Sequence, residues 1–267
     1  MDSTILKLIN NLKDVPAMPN VVMQALNVVK DPNSGIKELS DVMGYDQSLS
    51  IKVLNLVNSA YYGFSQQISS ITRALTILGM NKSKNIIVTV AMKPMFSSEV
   101  NKDLWEHSIK VAVGCECISS HLNIMNSDDA FMMGFMHDIG KIILNMQNKE
   151  IFHKIQALNE QGEDIIELEQ KYYGTNHAQV GAVLANKWQL PILLINTIKY
   201  HHNPLIASAP TECSLVYLVD KLVQDNFDKD SLNMDYIKSL NFKIDKPEIL
   251  RSCILDRAEV LINELSN

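Results

Sequence analysis

Arginine is almost absent from this chain of 267 residues, with Arg73, Arg251 and Arg257 as the whole supply. So few guanidinium groups leave little means of gripping phosphate in a bidentate clamp. Lysine and arginine together number 24 against 30 aspartates and glutamates, a net charge of -6. That balance gives no electrostatic footprint for nucleic acid or an anionic membrane. Cysteine is scarce as well. Cys115, Cys117, Cys213 and Cys253 fit a reducing compartment better than a disulfide framework, since the first two point to different sides of a helix. No apolar run approaches the roughly 20 residues of a membrane span, and Met1 to Leu12 is too polar for a signal sequence. A cytoplasmic protein is therefore expected. Strand-like alternation is missing too, which excludes a β-rich fold.

What remains is helical punctuation. Apolar residues recur at i, i+3 and i+4 over Val21 to Val29 and Leu39 to Val57, and Asp46 and Ser48 stand where N-caps are expected. Asp31 to Gly35 reads as a turn, Gly79 as a helix stop, and Lys93 to Ser98 as a break. Further breaks fall at Gly162, Gly174, Pro191 and Asn203-Pro204. These marks predict an all-α chain with a core drawn from its 46% hydrophobic residues. The expected division is an N-terminal helical lobe over 1–96, a lobe with most of the polar candidates over 97–225, and C-terminal helices over 226–267. No low-complexity linker, receiver-like stretch or internal repeat is visible, so any signal is expected to arrive through a ligand or a partner.

The chemistry concentrates around His137-Asp138, two metal-ligand types set inside the apolar run Phe131 to Leu144. Burying such groups without a charged partner, a hydrogen bond or a metal is costly. His107, His177, His201-His202 and Asp220 extend the series, so that it holds five of the seven histidines. Neutral imidazole and carboxylate suit iron, manganese, zinc or nickel, and a carboxylate can bridge two ions. Inward-pointing Asp, Glu and His from several helices can build such a centre. Read as one continuous helix, the run would splay His137 and Asp138 by about 100°. His201 and His202 would diverge in the same way, with one ligand expected from the pair. His121 and His153 read as core residues, and Glu169 as a surface charge.

In this order the residues resemble the HD superfamily of metal-dependent phosphohydrolases. Pro16-Ala-Met-Pro19, Asn58-Ser-Ala-Tyr-Tyr-Gly63, Trp105-Glu-His107, Gly134 to Lys141, His177 to Ala182, Trp188-Gln-Leu-Pro191 and His201-His202 together are similar to the HDOD domain, the HD-related output domain of bacterial signalling proteins. The likeness covers about residues 14 to 225. It implies a multi-helical HD-type bundle with an N-terminal helical lobe. It also implies a mono- or binuclear divalent metal site, with iron or manganese ahead of zinc or nickel. On that likeness His107, His137, Asp138 and Asp220 hold one ion. His177 and His201 or His202 hold a second, with Asp138 bridging. Lys141 becomes a contact for substrate phosphate, and Asp103, four residues before His107, an additional carboxylate. The related HD-GYP enzymes hydrolyse cyclic di-GMP and continue after the paired histidines with a glycine-rich Gly-Tyr-Pro loop. This chain reads Asn203 to Pro210 instead, so the metal site matches better than the substrate site.

Three functions follow. The favoured one is a regulatory or output module of bacterial signal transduction that retains the metal site, recognising a signalling protein or a small phosphorylated or nucleotide ligand. The second is a working phosphohydrolase or cyclic-nucleotide phosphodiesterase in which Asp138 and Lys141 take part. The third is a DNA-binding regulator built on the helix-turn-helix spacing of Ile36 to Leu56. It offers only Lys52 as a cation on the second helix and is disfavoured by the charge balance. Asn58 to Gly63 reads as a structural turn that docks the lobes.

Overall fold

The computed structural model describes residues 17–96, 99–240 and 246–266, and the statements below concern these residues. They are helical, with no strand among them. In chain order the helices are α1 (Asn20–Lys30), α2 (Ile36–Gly44), α3 (Gln47–Val57), α4 (Ile71–Leu78), α5 (Met80–Met92), α6 (Glu99–Leu122), α7 (Ser127–Met136) and α8 (Gly140–Gln147). They continue as α9 (Lys149–Glu160), α10 (Ile165–Tyr173), α11 (His177–Lys187), α12 (Ile192–Tyr200), α13 (Pro210–Leu222), α14 (Met234–Lys238) and α15 (Pro247–Ser266). The expected breaks fall where the chain needs them. Gly79 and Gly174 end α4 and α10 with φ of 80° and 69°, a region that glycine enters without the Cβ clash other residues meet. Lys93–Phe96 is a 3-10 turn rather than a plain break. Asp46 caps α3 by accepting from the Leu49 N–H, whereas Ser48 lies inside the helix.

Two compact units divide the chain at Met132/Met133, and α15 joins the first. In the first unit α1 packs on α2 and α5, α2 on α4, and α6 along α15. The lobe division read from the sequence placed α6 beyond a break at 93–98. The contacts instead keep α6 with the helices before it, because its apolar face is covered by α15.

Asn58, at the end of α3, fixes the turn that follows it. Its side chain donates to the carbonyls of Leu54 (2.9 Å) and Ile68 (2.8 Å) and accepts from the Ile68 N–H (2.7 Å). Tyr61 and Tyr62 meet edge to face, and the Arg257 guanidinium of α15 lies 5.4 Å from the Tyr61 ring centre. Arg257 also reaches Glu116 at 3.1 Å, as Lys82 does at 3.0 Å. Asn58 to Gly63 is thus a packing corner inside the first unit.

In the second unit α11 is central, packed on α8 and α12. Its approach to α8 is backbone on backbone. A Cβ at Gly140 would lie 2.0 Å from the His177 carbonyl oxygen and 2.7 Å from the Gly181 nitrogen, and one at Gly181 would lie 3.1 Å from the Gly140 nitrogen. Only glycine permits that distance. Tyr173 ties the end of α10 to α8 by donating to the Leu144 and Asn148 carbonyls, each at 3.0 Å. The Gly140 contact sets the first ligand candidates against the start of α11.

Candidate metal centre

His137 and Asp138 do not lie within a helix. The chain leaves α7 at Met136, makes a tight turn in which Ile139 donates to the Met136 carbonyl (3.1 Å) and Lys141 to that of Asp138 (2.9 Å), and resumes as α8. The divergence of about 100° expected between neighbours on a helix therefore does not apply. Both side chains turn to one place, with His137 Nε2 3.2 Å from Asp138 Oδ2, and both are buried. The second histidine pair behaves alike. α12 ends at Tyr200, and His201 and His202 occupy the turn after it. Both rings reach the cluster: His202 Nε2 is 2.9 Å and His201 Nε2 3.3 Å from His177 Nε2. His177 opens α11 beneath the Asn176 cap, and Asp220 projects from α13 to 3.8 Å from His137 Nε2.

Three of these rings are oriented in the same manner. Nδ1 of His137 donates to the Gly134 carbonyl at 2.7 Å, Nδ1 of His201 to that of Ile198 at 2.8 Å, and Nδ1 of His177 to the Glu169 carboxylate at 2.7 Å. Each Nε2 is thereby left to face the others and Asp138. Asp138 Oδ1 stands 3.1 Å from His177 Nε2 and 3.7 Å from His201 Nε2. Bare imidazole nitrogens this close repel through their lone pairs unless a proton or a metal lies between them. His177, His201 and His202, and separately His137, Asp138 and His201, each place one donor atom per residue within 4.8 Å of the others. These groups could hold a divalent ion.

The charges agree. Asp138, Glu169 and Asp220 are buried carboxylates, and Lys141 sets its Nζ 2.6 Å from Asp138 Oδ2. Burial opposes the charged form of His177, but Glu169 and then Asp138 outweigh it and raise its pKa to about 9. His201 is driven down to about 3 by burial and then by the neighbouring His137 and His177, and His202 is lowered by burial and the same kind of repulsion. Asp138 stays below the ordinary carboxylate range. Burial pushes it up, but His137, Lys141 and His177 together win.

Glu169 is the residue that sequence reasoning missed. Expected as a surface charge, it is 1% exposed and accepts from both the backbone N–H and Nδ1 of His177, each at 2.7 Å. Its signal was an acidic residue on the apolar stripe of α10, four residues after Ile165 and beside Leu168. His107 lies partly buried on α6, in the first unit, and Asp103 on the same helix is exposed.

The pattern of the HDOD domain matches residues 15–204 of this chain. The chain belongs to the HDOD family. Asp220 lies beyond the matched span. An HDOD domain protein of unknown function from Geobacter sulfurreducens has the same fold, with a TM-score of 0.80 and 24% identity over 98% of this chain and 97% of that one. An uncharacterised Treponema pallidum protein is 25% identical over 76% of this chain and 40% of its own length. The Vibrio cholerae cyclic di-GMP phosphodiesterase CdgJ is 30% identical over 43% of this chain and 26% of its own length. The HDOD chain thus spans less than half of either curated relative. No helix among the described residues is long and apolar enough to cross a membrane.

Proposed function

We propose that this HDOD protein is a regulatory or output module of bacterial signal transduction whose second unit holds a divalent transition metal, iron or manganese ahead of zinc or nickel. One observation carries the reading. Three histidines spend Nδ1 on acceptors and converge through Nε2 on a buried aspartate. That arrangement fits a cation and is costly without one. His137, Asp138, His177, His201, His202 and Asp220 are the proposed ligands, and His107 is added to them on the HD likeness. A divalent ion bound there supplies Lewis acidity toward a phosphoryl oxygen.

Lys141 is the weak point of an enzymatic role. Its ammonium is engaged with Asp138, and no arginine lies in the second unit to share a phosphate. This favours ligand sensing or partner binding over turnover, with a signalling protein or a small phosphorylated or nucleotide ligand as the partner, in the cytoplasm. A metal-dependent phosphohydrolase is the second reading, favoured by the full donor set. Elemental analysis of untagged protein purified without chelator, beside Asp138→Ala, tests the centre: one or two equivalents of metal, lost in the variant, is the expected result. Metal retained in the variant, or none taken up by the parent even after loading, overturns the reading. Phosphate release from nucleotides with added manganese or iron would favour the enzyme.

A further inference from the structure

Glu169 is an expensive residue. A fully buried carboxylate is costly unless its bonds return the lost hydration. Here both hydrogen bonds go to one residue, His177. Glu169 shares the capping of α11 with Asn176, which accepts from the Gln179 N–H at 3.0 Å, but capping alone leaves the second bond unexplained. The bond to Nδ1 is the distinctive one. A carboxylate on one ring nitrogen keeps the proton there, fixes the ring plane and makes the opposite nitrogen a better donor to a metal.

We infer that Glu169 is a positioning residue for the metal centre: it holds the proton on Nδ1 of His177 and aims Nε2 at Asp138, His201 and His202. His137 and His201 rest on neutral backbone carbonyls, so His177 is the one ring of the three oriented by a charged group. It is therefore the strongest nitrogen donor of the set. The inference rests on the metal reading for its purpose but not for its geometry.

The test uses the full chain and the variants Glu169→Ala and Glu169→Gln. Manganese affinity is measured by competition with a fluorescent chelator, and the His177 Nδ1–H is followed by long-range proton–nitrogen NMR on metal-free protein. Glu169→Ala should weaken manganese binding about 10- to 100-fold, the range for loss of a group behind a ligand. It should also speed exchange of the Nδ1 proton. Glu169→Gln, whose carbonyl can still accept, should restore the protected proton and most of the affinity. A lower melting temperature with unchanged affinity and an unchanged Nδ1 signal would mean a merely structural role and overturn the inference. If the parent binds no manganese, the metal reading fails, while the NMR comparison still decides what Glu169 does. If Glu169→Ala does not fold, Glu169→Asp, one methylene short of Nδ1, replaces it with the same expected losses.

Discussion

Gly140→Ala is the sharpest perturbation of the centre that changes none of its ligand side chains. The new Cβ would sit 2.0 Å from the His177 carbonyl oxygen, where ordinary contact begins at 3.4 Å, a shortfall of 3.4 − 2.0 = 1.4 Å. The next two atoms it meets are the Gly181 nitrogen and the His177 carbonyl carbon, so every obstacle is backbone and no rotamer change relieves it. α8 must move away from α11 by about an ångström, opening the interface where Ile143, Leu144, Val180 and Leu184 are fully buried. Overpacking of this kind costs about 1–3 kcal/mol and sometimes more. With only backbone to yield, about 3 kcal/mol is expected, which lowers the melting temperature by about 6–12 °C at roughly 2–4 °C per kcal/mol. Asp138 stands two residues before Gly140 and now lies 3.1 Å from His177 Nε2. The same movement parts them, and manganese affinity should fall at least about tenfold, since misplacing a group by about 1 Å can cost about 100-fold. Calorimetry and chelator competition on one preparation read both effects. Gly181→Ala is the control. Its nearest obstacle is the Ile198 Cγ2 atom at 2.9 Å, a side chain that can give, so its losses should be smaller. A Gly140→Ala protein that melts within about 2 °C of the parent and binds manganese equally well would refute the close-approach argument.

Other outcomes follow from the same geometry. Asp138→Ala should abolish metal uptake while preserving most helical circular dichroism, because the ligands support one cluster and not the cores of α1 to α5; collapse of the helix signal would contradict this. Asn58→Ala removes three hydrogen bonds from the turn to Ile68 and should cost about 2 kcal/mol, read as a lower denaturation midpoint with metal content unchanged. Metal-free protein should be most stable near pH 6.5. The His177 pKa rises from 6.5 unfolded to about 9 folded, so its contribution is complete below 6.5 and is lost as pH climbs through 9. His201 falls from 6.5 to about 3, so below 6.5 the unfolded chain takes up a proton the folded one refuses, and stability declines with acid. Chemical denaturation of chelator-treated protein across pH 5–10 checks this: stability that does not fall above pH 6.5 would contradict the His177 assignment, and stability that does not fall below it would contradict the His201 assignment.

Much of the fold was legible because helix signals are local. Apolar spacing, Asp46 as a cap, and Gly79, Gly162, Gly174 and Pro191 as breaks act over a few residues, and each marks a boundary found in the structure. The residues proposed as ligands could also be picked out from the sequence, since His137, Asp138, His177, His201 and Asp220 are polar groups set among apolar neighbours, where burial is costly unless they serve one another. Direction was decided only by the tertiary structure. Whether His137 and Asp138 splay or converge depends on a turn between α7 and α8 that no local signal separated from continuous helix. Both His201 and His202 reach the cluster for the same reason, because the chain has left α12 at Tyr200. Glu169 looked like a solvated charge because its partner, Nδ1 of His177, lies eight residues away on the next helix, and only the packing of α10 and α11 creates that hydrogen bond. A side chain's chemistry is written in its own atoms, whereas its partner and its cost of burial belong to whatever the fold places beside it.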